Sequence, residues 1–128
     1  MIVLDTHTWL WWCADRARIP PKLRRRLEVE EDLAVCAISC WEIAMLVSRG
    51  RLTLSMDVRV ALRSMAALPA IRLVPIDDDI AVEAALFGDA MHGDPADRLI
   101  VATAKLLAAP LATKDEKIRA SRLVTTLW

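Results

Sequence analysis

Short runs of branched aliphatic residues alternate with helix-like segments along almost the whole of this 128-residue chain. Four runs, at residues 1–4, 33–38, 71–76 and 111–112, are too short for helices and are typical of buried parallel strands. A fifth and weaker run lies at 123–127. Strands that alternate with helices favour a mostly parallel sheet covered by helices on both faces, with right-handed crossovers. The sequence therefore predicts an α/β fold.

The helix predictions rest on apolar spacing and on residues that begin or end helices. Ser39 and Glu42 have the spacing of a capping box, and Gly50 follows the helix that this box would open. Asp94 before Pro95 has the form of an N-cap followed by the first helical residue. These signals predict helices at 6–14, 20–31, 39–49, 57–68, 77–87 and 95–108.

Length and composition limit the chain to one domain and to local contacts with any nucleic acid. A 55% hydrophobic content suits one buried core, so we expect a single domain over residues 1–128. Seventeen basic residues balance seventeen acidic ones, which excludes nucleic-acid binding through a strong overall positive field. Three cysteines without a CxxC pair suit a reducing compartment. No apolar run is long enough for a membrane span, so we expect a cytoplasmic protein.

Four acidic residues follow the short apolar runs or lie near the start of a predicted helix: Asp5, Glu42, Asp97 and Asp115. In an open α/β sheet, ligands bind in the crevice beyond the carboxyl ends of the strands, where side chains distant in sequence meet. Gathered carboxylates repel one another and need a cation. The pattern therefore predicts a site for a hard divalent metal ion, which prefers oxygen ligands.

Each of these acids also has a purely structural explanation. A carboxylate at a helix N-terminus accepts backbone N–H bonds and stabilises the helix by about 0.3–1 kcal/mol. Asp5 fits this explanation least, because Thr6 could cap the first helix and the most apolar strand would otherwise end on a desolvated carboxylate. Capping does not require several acids at one edge of a sheet, whereas a metal ion does. The joint pattern therefore favours a functional site.

Four short segments, in this order, carry a resemblance to a known family: residues 3–7 (VLDTH), 39–42 (SCWE), 92–102 (HGDPADRLIVA) and 113–115 (TKD). In content and spacing they resemble the motifs of a PIN-domain protein of the VapC toxin type. The resemblance implies a three-layer α/β/α sandwich and a ribonuclease that depends on Mg²⁺ or Mn²⁺ and leaves a 5′-phosphate and a 3′-hydroxyl. It also implies an RNA substrate, a cognate antitoxin and a homodimer.

By position, the resemblance assigns the acidic site to Asp5, Glu42, Asp97 and Asp115, with Asp5 and Asp97 as the direct metal ligands. Glu42 and Asp115 either join them or bind a water on the metal. Asp94 lies one helical turn before Asp97, so it supplies a further carboxylate or serves only as an N-cap.

Two neighbours of these acids complete the candidate site. Thr6 either bonds a metal-binding carboxylate or a phosphate, or caps the first helix. Arg98 either contacts the RNA backbone or pairs with Asp94 on the same helix face. His7 and His92 have no obvious nucleophile beside them, so we expect structural roles for both.

The remaining features to assign are the basic region and the tryptophans. The densest basic region, at 16–26, is expected to be a solvated helix face rather than an RNA guide. Trp9, Trp11 and Trp12 cannot all point the same way, so at least one lies near the surface at a partner interface. Trp9 and Trp41 are expected in the core.

Two other function classes compete with the metal-dependent nuclease. A phosphoacceptor signalling domain also gathers acids at a sheet edge, but no isolated acceptor aspartate follows a convincing central strand here. A PIN-like scaffold that binds RNA or protein without cleaving anything is the second alternative, and the intact acidic positions argue against it.

Overall fold

Five parallel strands form one central sheet in the computed structural model, which describes residues 1–128. They are β1 (Ile2–Leu4), β2 (Leu33–Cys36), β3 (Ile71–Val74), β4 (Leu111–Ala112) and β5 (Thr126–Leu127). Their order across the sheet is β3-β2-β1-β4-β5, and every neighbouring pair is parallel. The predicted parallel sheet is confirmed. β3 ends earlier than predicted, before Pro75, which has no N–H to donate to a neighbouring strand.

Seven α-helices connect the strands: α1 (Thr6–Ala14), α2 (Pro21–Glu28), α3 (Ile38–Ser48), α4 (Val58–Ala66), α5 (Asp78–Leu86), α6 (Pro95–Leu106) and α7 (Glu116–Ser121). Single 3₁₀ turns lie at Arg16–Arg18 and Gly88–Ala90. Aspartate side chains cap five of the seven helices: Asp5, Asp57, Asp77, Asp94 and Asp115. No helix has the length and apolar character needed to span a membrane.

Helices cover both faces of the sheet, because successive strand residues point in opposite directions. Ile2 and Leu4 of β1 pack with α1 to α4, in a core that includes the fully buried Trp9. Val3, between them, packs on the other face against α5, α6 and α7. All three residues of β1 are fully buried, as the central strand of a covered parallel sheet requires. The predicted three-layer α/β/α architecture is confirmed.

The order of the strands reverses between β1 and β4. The chain runs from β1 outward through β2 to β3, crosses to the opposite face of the sheet, and returns beside β1 as β4. Such a reversal leaves a crevice beyond the carboxyl ends of the two central strands. Asp5 directly follows β1, and Asp115 lies three residues beyond β4.

Arg98 fixes the loop between α5 and α6. Its guanidinium group donates to four backbone carbonyls, at 3.2, 2.5, 2.9 and 3.0 Å: those of Ala84, Gly88, Met91 and His92. Of the two alternatives for Arg98, the pair with Asp94 is not formed, because the loop carbonyls engage the guanidinium. One side chain thereby holds the segment that leads into α6.

Replacing Arg98 with lysine is expected to lower the free energy of unfolding by about 2 kcal/mol or more. Each lost hydrogen bond contributes about 0.5–1.5 kcal/mol, and a lysine ammonium group cannot reproduce the planar fork that reaches four carbonyls. Urea unfolding followed by circular dichroism measures the loss. Arg25→Lys, on the exposed face of α2, is the control and should change stability by less than about 0.5 kcal/mol. Equal losses in the two variants would contradict the role of Arg98.

Candidate active site

An open cleft of about 620 Å³ lies beside the residues that follow β1 and β4. Its lining includes five acidic side chains that the sequence singled out: Asp5, Glu42, Asp94, Asp97 and Asp115. They come from the end of β1, from α3, from the start of α6 and from the start of α7. Thr6 also lines the cleft, whereas Arg98 does not. The structure therefore brings together every candidate site residue except Arg98, whose guanidinium is held by the loop.

Asp5 is buried with both of its carboxylate oxygens hydrogen-bonded. Oδ1 accepts from the backbone N–H of Thr8 at 2.8 Å, so Asp5, and not Thr6, caps α1. Oδ2 accepts from the hydroxyl of Thr113 at 2.5 Å, and the same hydroxyl oxygen accepts from the N–H of Asp115 at 3.1 Å. Thr113 therefore joins the two central strands. Its position between β4 and Asp115 was the only sign of this role in the sequence.

Thr6 lies inside α1 and links that helix to α3. Its Oγ1 lies 2.9 Å from Oγ of Ser39 and donates to Oε1 of Glu42. Because one hydroxyl carries one hydrogen, Ser39 must be the donor to Thr6. The predicted capping box at Ser39 is wrong: α3 begins at Ile38 with Ala37 as its N-cap, so Ser39 is buried within the first turn. The chain of donors runs from Ser39 through Thr6 to Glu42.

The other acids of the cleft each have one oxygen fixed. Asp94 caps α6 by accepting from the N–H of Asp97 at 3.1 Å, and Asp115 caps α7 by accepting from the N–H of Ile118 at 2.9 Å. Oδ2 of Asp97 lies 2.7 Å from Nε2 of His92. In each case the second oxygen has no protein partner, so capping and ligand binding are compatible in one side chain.

His92, for which the sequence predicts only a structural role, contacts a carboxylate of the cleft. It lies in the loop before α6, where no helical or strand periodicity predicts the direction of its side chain. Its backbone carbonyl accepts from Arg98, and its ring contacts Asp97. The Arg98 contacts therefore place an imidazole against a carboxylate of the cleft.

Negative charge accumulates in the cleft. Burial raises the pKa of Asp97 above its ordinary value, and the charges of Asp94 and Asp115 add to the effect. Burial likewise raises the pKa of Glu42, with further contributions from the charges of Asp97 and Asp94. Lys114 is the only lysine or arginine in the lining. The cleft therefore carries an excess of negative charge that a bound cation would relieve.

The available ligands suit a divalent cation that keeps part of its water shell. No group of three or more histidine, cysteine, aspartate or glutamate side chains could hold a metal ion as it stands. Mg²⁺, however, usually binds one or two carboxylates and retains several waters, so an open cleft with unpaired carboxylate oxygens is compatible with it. No cysteine lines the cleft, so it has no thiolate ligands of the kind that most structural zinc sites use.

Trp41 is exposed, contrary to the expectation that it lies in the core. More than half of its surface, 56%, is accessible to solvent, whereas Trp9 is fully buried as predicted. Ser39 and Ile43 form the buried face of α3, and position 41 points away from both because successive helix residues are separated by about 100°.

Comparison with known proteins identifies the relatives of this chain. Residues 2–122 match the family described as PIN domain. The chain is also similar to Ribonuclease VapC22 from Mycobacterium tuberculosis (strain ATCC 25618 / H37Rv), with 36% identity over 129 aligned residues. That alignment covers 99% of this chain and 98% of the relative.

Solved structures share the fold along the whole chain. VapBC2 from Rickettsia felis, bound to a DNA fragment from their promoter, matches with a TM-score of 0.71 and 15% identity, over 99% of this chain and 98% of the other. A toxin–antitoxin complex from Klebsiella pneumoniae matches with a TM-score of 0.66 and 17% identity, over 98% and 97%. At such identities the likeness shows the fold. Together with the family match and the relative at 36% identity, it establishes that the chain belongs to the PIN-domain family.

Proposed function

We propose that the chain is an endoribonuclease that depends on a divalent cation, Mg²⁺ or Mn²⁺, and acts as the toxin of a toxin–antitoxin pair. The proposal rests on the convergence of six carboxylates in one cleft, the five described above and that of Glu116, with a single lysine among them. Such a cleft repels the phosphates of RNA unless it holds a cation. The full-length similarity to a ribonuclease supports RNA as the substrate.

In this proposal Asp5 and Asp97 hold the cation, and Glu42, Asp94 and Asp115 complete the acidic lining around it. When bound, the cation polarises the scissile phosphate and lowers the pKa of the attacking water. The chain supplies the positions of the ligands. The hydroxyl of Thr113 fixes Asp5, and the imidazole of His92 fixes Asp97, in the way that surrounding hydrogen bonds orient metal ligands in proteins.

Glu42 has a different role from Asp5 and Asp97 in this proposal. The Thr6 hydroxyl donates to one of its oxygens and is itself bonded to Ser39, so the carboxylate is oriented by two helices. This arrangement suits a carboxylate that orients a water molecule on the cation rather than one that binds the cation directly. Asp115, with Oδ1 fixed by Ile118, has its second oxygen for the same use.

We also propose a cognate antitoxin and a second copy of this chain as partners. Solved structures of the same fold, which include a toxin–antitoxin complex and VapBC2 bound to promoter DNA, support the antitoxin, whereas the second copy follows from the family resemblance alone. One PIN domain over residues 1–128 would carry both the active site and these partner surfaces. An antitoxin that restrains an RNA-degrading enzyme would act where the RNA is, in the cytoplasm.

Asp97→Asn is expected to reduce RNA cleavage by at least about 100-fold, because it removes a charged ligand while preserving the shape of the side chain. Cleavage of purified RNA is measured by gel electrophoresis with Mg²⁺ and, separately, with Mn²⁺. Asp89→Asn is the matched control, since Asp89 is exposed in the turn at Gly88–Ala90 and does not line the cleft. Wild type and Asp97→Asn cleaving at the same rate would sink the proposed function.

Metal binding is expected to stabilise the folded protein. A ligand that binds only the folded state at 100 times its dissociation constant adds about 2.7 kcal/mol, so Mg²⁺ or Mn²⁺ should raise the Tm of chelator-treated protein. Asp5→Asn and Asp97→Asn should reduce that rise. Potassium chloride at equal ionic strength controls for general screening. A rise in Tm no larger than the potassium control gives would refute specific binding, and the ion with the larger effect identifies the preferred metal.

Without metal, Asp97→Asn is expected to be more stable than wild type at neutral pH. The folded protein raises the pKa of Asp97, mainly through burial, so the folded state binds its proton more tightly than the unfolded state does. The cost of ionising Asp97 is therefore absent at low pH and appears as pH rises through the ordinary aspartate range of about 4 to the raised value. The stability difference between the two proteins should grow with pH, measured by thermal unfolding in chelator. A constant difference, or one that shrinks with pH, would contradict the raised pKa of Asp97.

A further inference from the structure

Trp41 is the only tryptophan or phenylalanine in the protein whose side chain is exposed. The chain has five tryptophans, one phenylalanine and no tyrosine. Trp9, Trp12 and Phe87 are buried, and Trp11 and Trp128 are half-buried, with ring centroids 5.7 Å apart. Exposing the flat apolar surface of Trp41 contributes nothing to folding. The exposure of Trp41 therefore indicates that its side chain binds another molecule.

Trp41 lines a second depression that adjoins the acidic cleft. This depression, which we call the Trp41 pocket, has a volume of about 380 Å³ and is lined by Ile38, Trp41, Glu42, Met45, Asp94, Pro95 and Ala96. Glu42 and Asp94 line both the Trp41 pocket and the acidic cleft. Apart from these two carboxylates, the lining is apolar. A molecule bound in the pocket therefore lies directly beside the proposed site of cleavage.

We propose that the Trp41 pocket is a nucleobase subsite, in which a base next to the scissile phosphate stacks on the Trp41 indole. The proposal rests on the ribonuclease function proposed above. Single-stranded RNA is recognised mainly through unstacked bases that pack on aromatic side chains, and such stacking tolerates any base because every base has a π-face. The Met45 thioether adds a polarisable contact for an aromatic ring.

The charge of the Trp41 pocket favours binding of an RNA base over binding of the RNA phosphate backbone. The two acids at its border, Glu42 and Asp94, repel a phosphate, whereas an uncharged base enters the apolar interior without that cost. The phosphate is then left to the cation in the adjoining cleft. The two sites would thus bind two parts of one nucleotide strand. The phosphate would lie in the acidic cleft and the base in the Trp41 pocket, and Glu42 and Asp94 line both sites.

The surroundings of Trp41 favour RNA over a protein partner. Ile38, Trp41 and Met45 share one face of α3, and the exposed residues beyond them, Ser48 and Arg49, are polar, so the apolar surface around the indole is short. A protein segment that covered the pocket would also cover Glu42 and Asp94, as an inhibitory antitoxin would, so such a partner and RNA would compete for this surface. A single nucleotide fits beside the cleft without closing it.

Binding of a short fluorescent single-stranded RNA, measured by anisotropy in the Asp97→Asn background, tests the subsite without cleavage. Asp97 does not line the Trp41 pocket, so the pocket stays intact in this background. Adding Trp41→Ala should raise Kd by about 5- to 100-fold, the range expected for losing one base–aromatic stack. Trp41→Phe should retain most of the affinity. Val60→Ala, at an exposed apolar position on α4, is the control and should leave Kd unchanged.

RNAs that lack one base at a time locate the stacked nucleotide. One abasic position should weaken binding when Trp41 is present and have no further effect in Trp41→Ala, because both changes remove the same contact. An abasic series that affects both proteins equally at every position would overturn the subsite. So would Trp41→Ala that leaves Kd unchanged but alters the oligomeric state by light scattering, since this would assign the indole to a protein interface. Trp41-dependent binding in a protein whose wild type cleaves no RNA would refute the proposed function alone.

Discussion

The carboxylate of Asp5 joins the two halves of the fold at the place where the strand order reverses. One oxygen accepts the N–H that begins α1, and the other accepts the hydroxyl of Thr113 beyond β4. Because that hydroxyl also accepts from the N–H of Asp115, one buried carboxylate sets the relative position of two acids of the cleft. A carboxylate can be buried at this depth because both its oxygens have donors. The position of Asp115 in the acidic lining therefore depends on this junction.

Crowding of like charges opposes folding in this cleft, and helix capping offsets part of that cost. Burial, and secondly the neighbouring carboxylates, raises the pKa of Glu42 and of Asp97, so their charged forms are disfavoured when no cation is present. Asp94 and Asp115, by contrast, accept backbone N–H groups at helix N-termini, where the helix dipole favours negative charge. Capping and metal binding are therefore not competing explanations for these acids. A site that is unfavourable in the empty protein is a common cost of function.

Local signals in the sequence predicted the sheet, the helices and the caps, because a strand run or an N-cap depends on a few adjacent residues. The caps at Asp94 and Asp115 were foreseen for this reason. The capping role predicted for Ser39 is wrong because α3 begins at Ile38, which places the serine inside the helix and leaves Ala37 as the N-cap. The contacts of Arg98 were not predicted because its acceptors are carbonyls of a loop, and no periodicity in the sequence describes the path of that loop. The convergence of the acids followed from strand topology, whereas their hydrogen-bond partners required the assembled structure.

The central claim is that the acidic cleft holds a divalent cation between Asp5 and Asp97. Anomalous diffraction at the manganese edge, from crystals grown with Mn²⁺, tests it most directly because it locates the ion without reference to activity. We expect an anomalous peak in the cleft, at a distance from oxygens of both aspartates that suits a hard cation, about 2.0–2.6 Å. A well-ordered crystal saturated with Mn²⁺ that shows no peak in this cleft, or only one elsewhere on the protein, would contradict it.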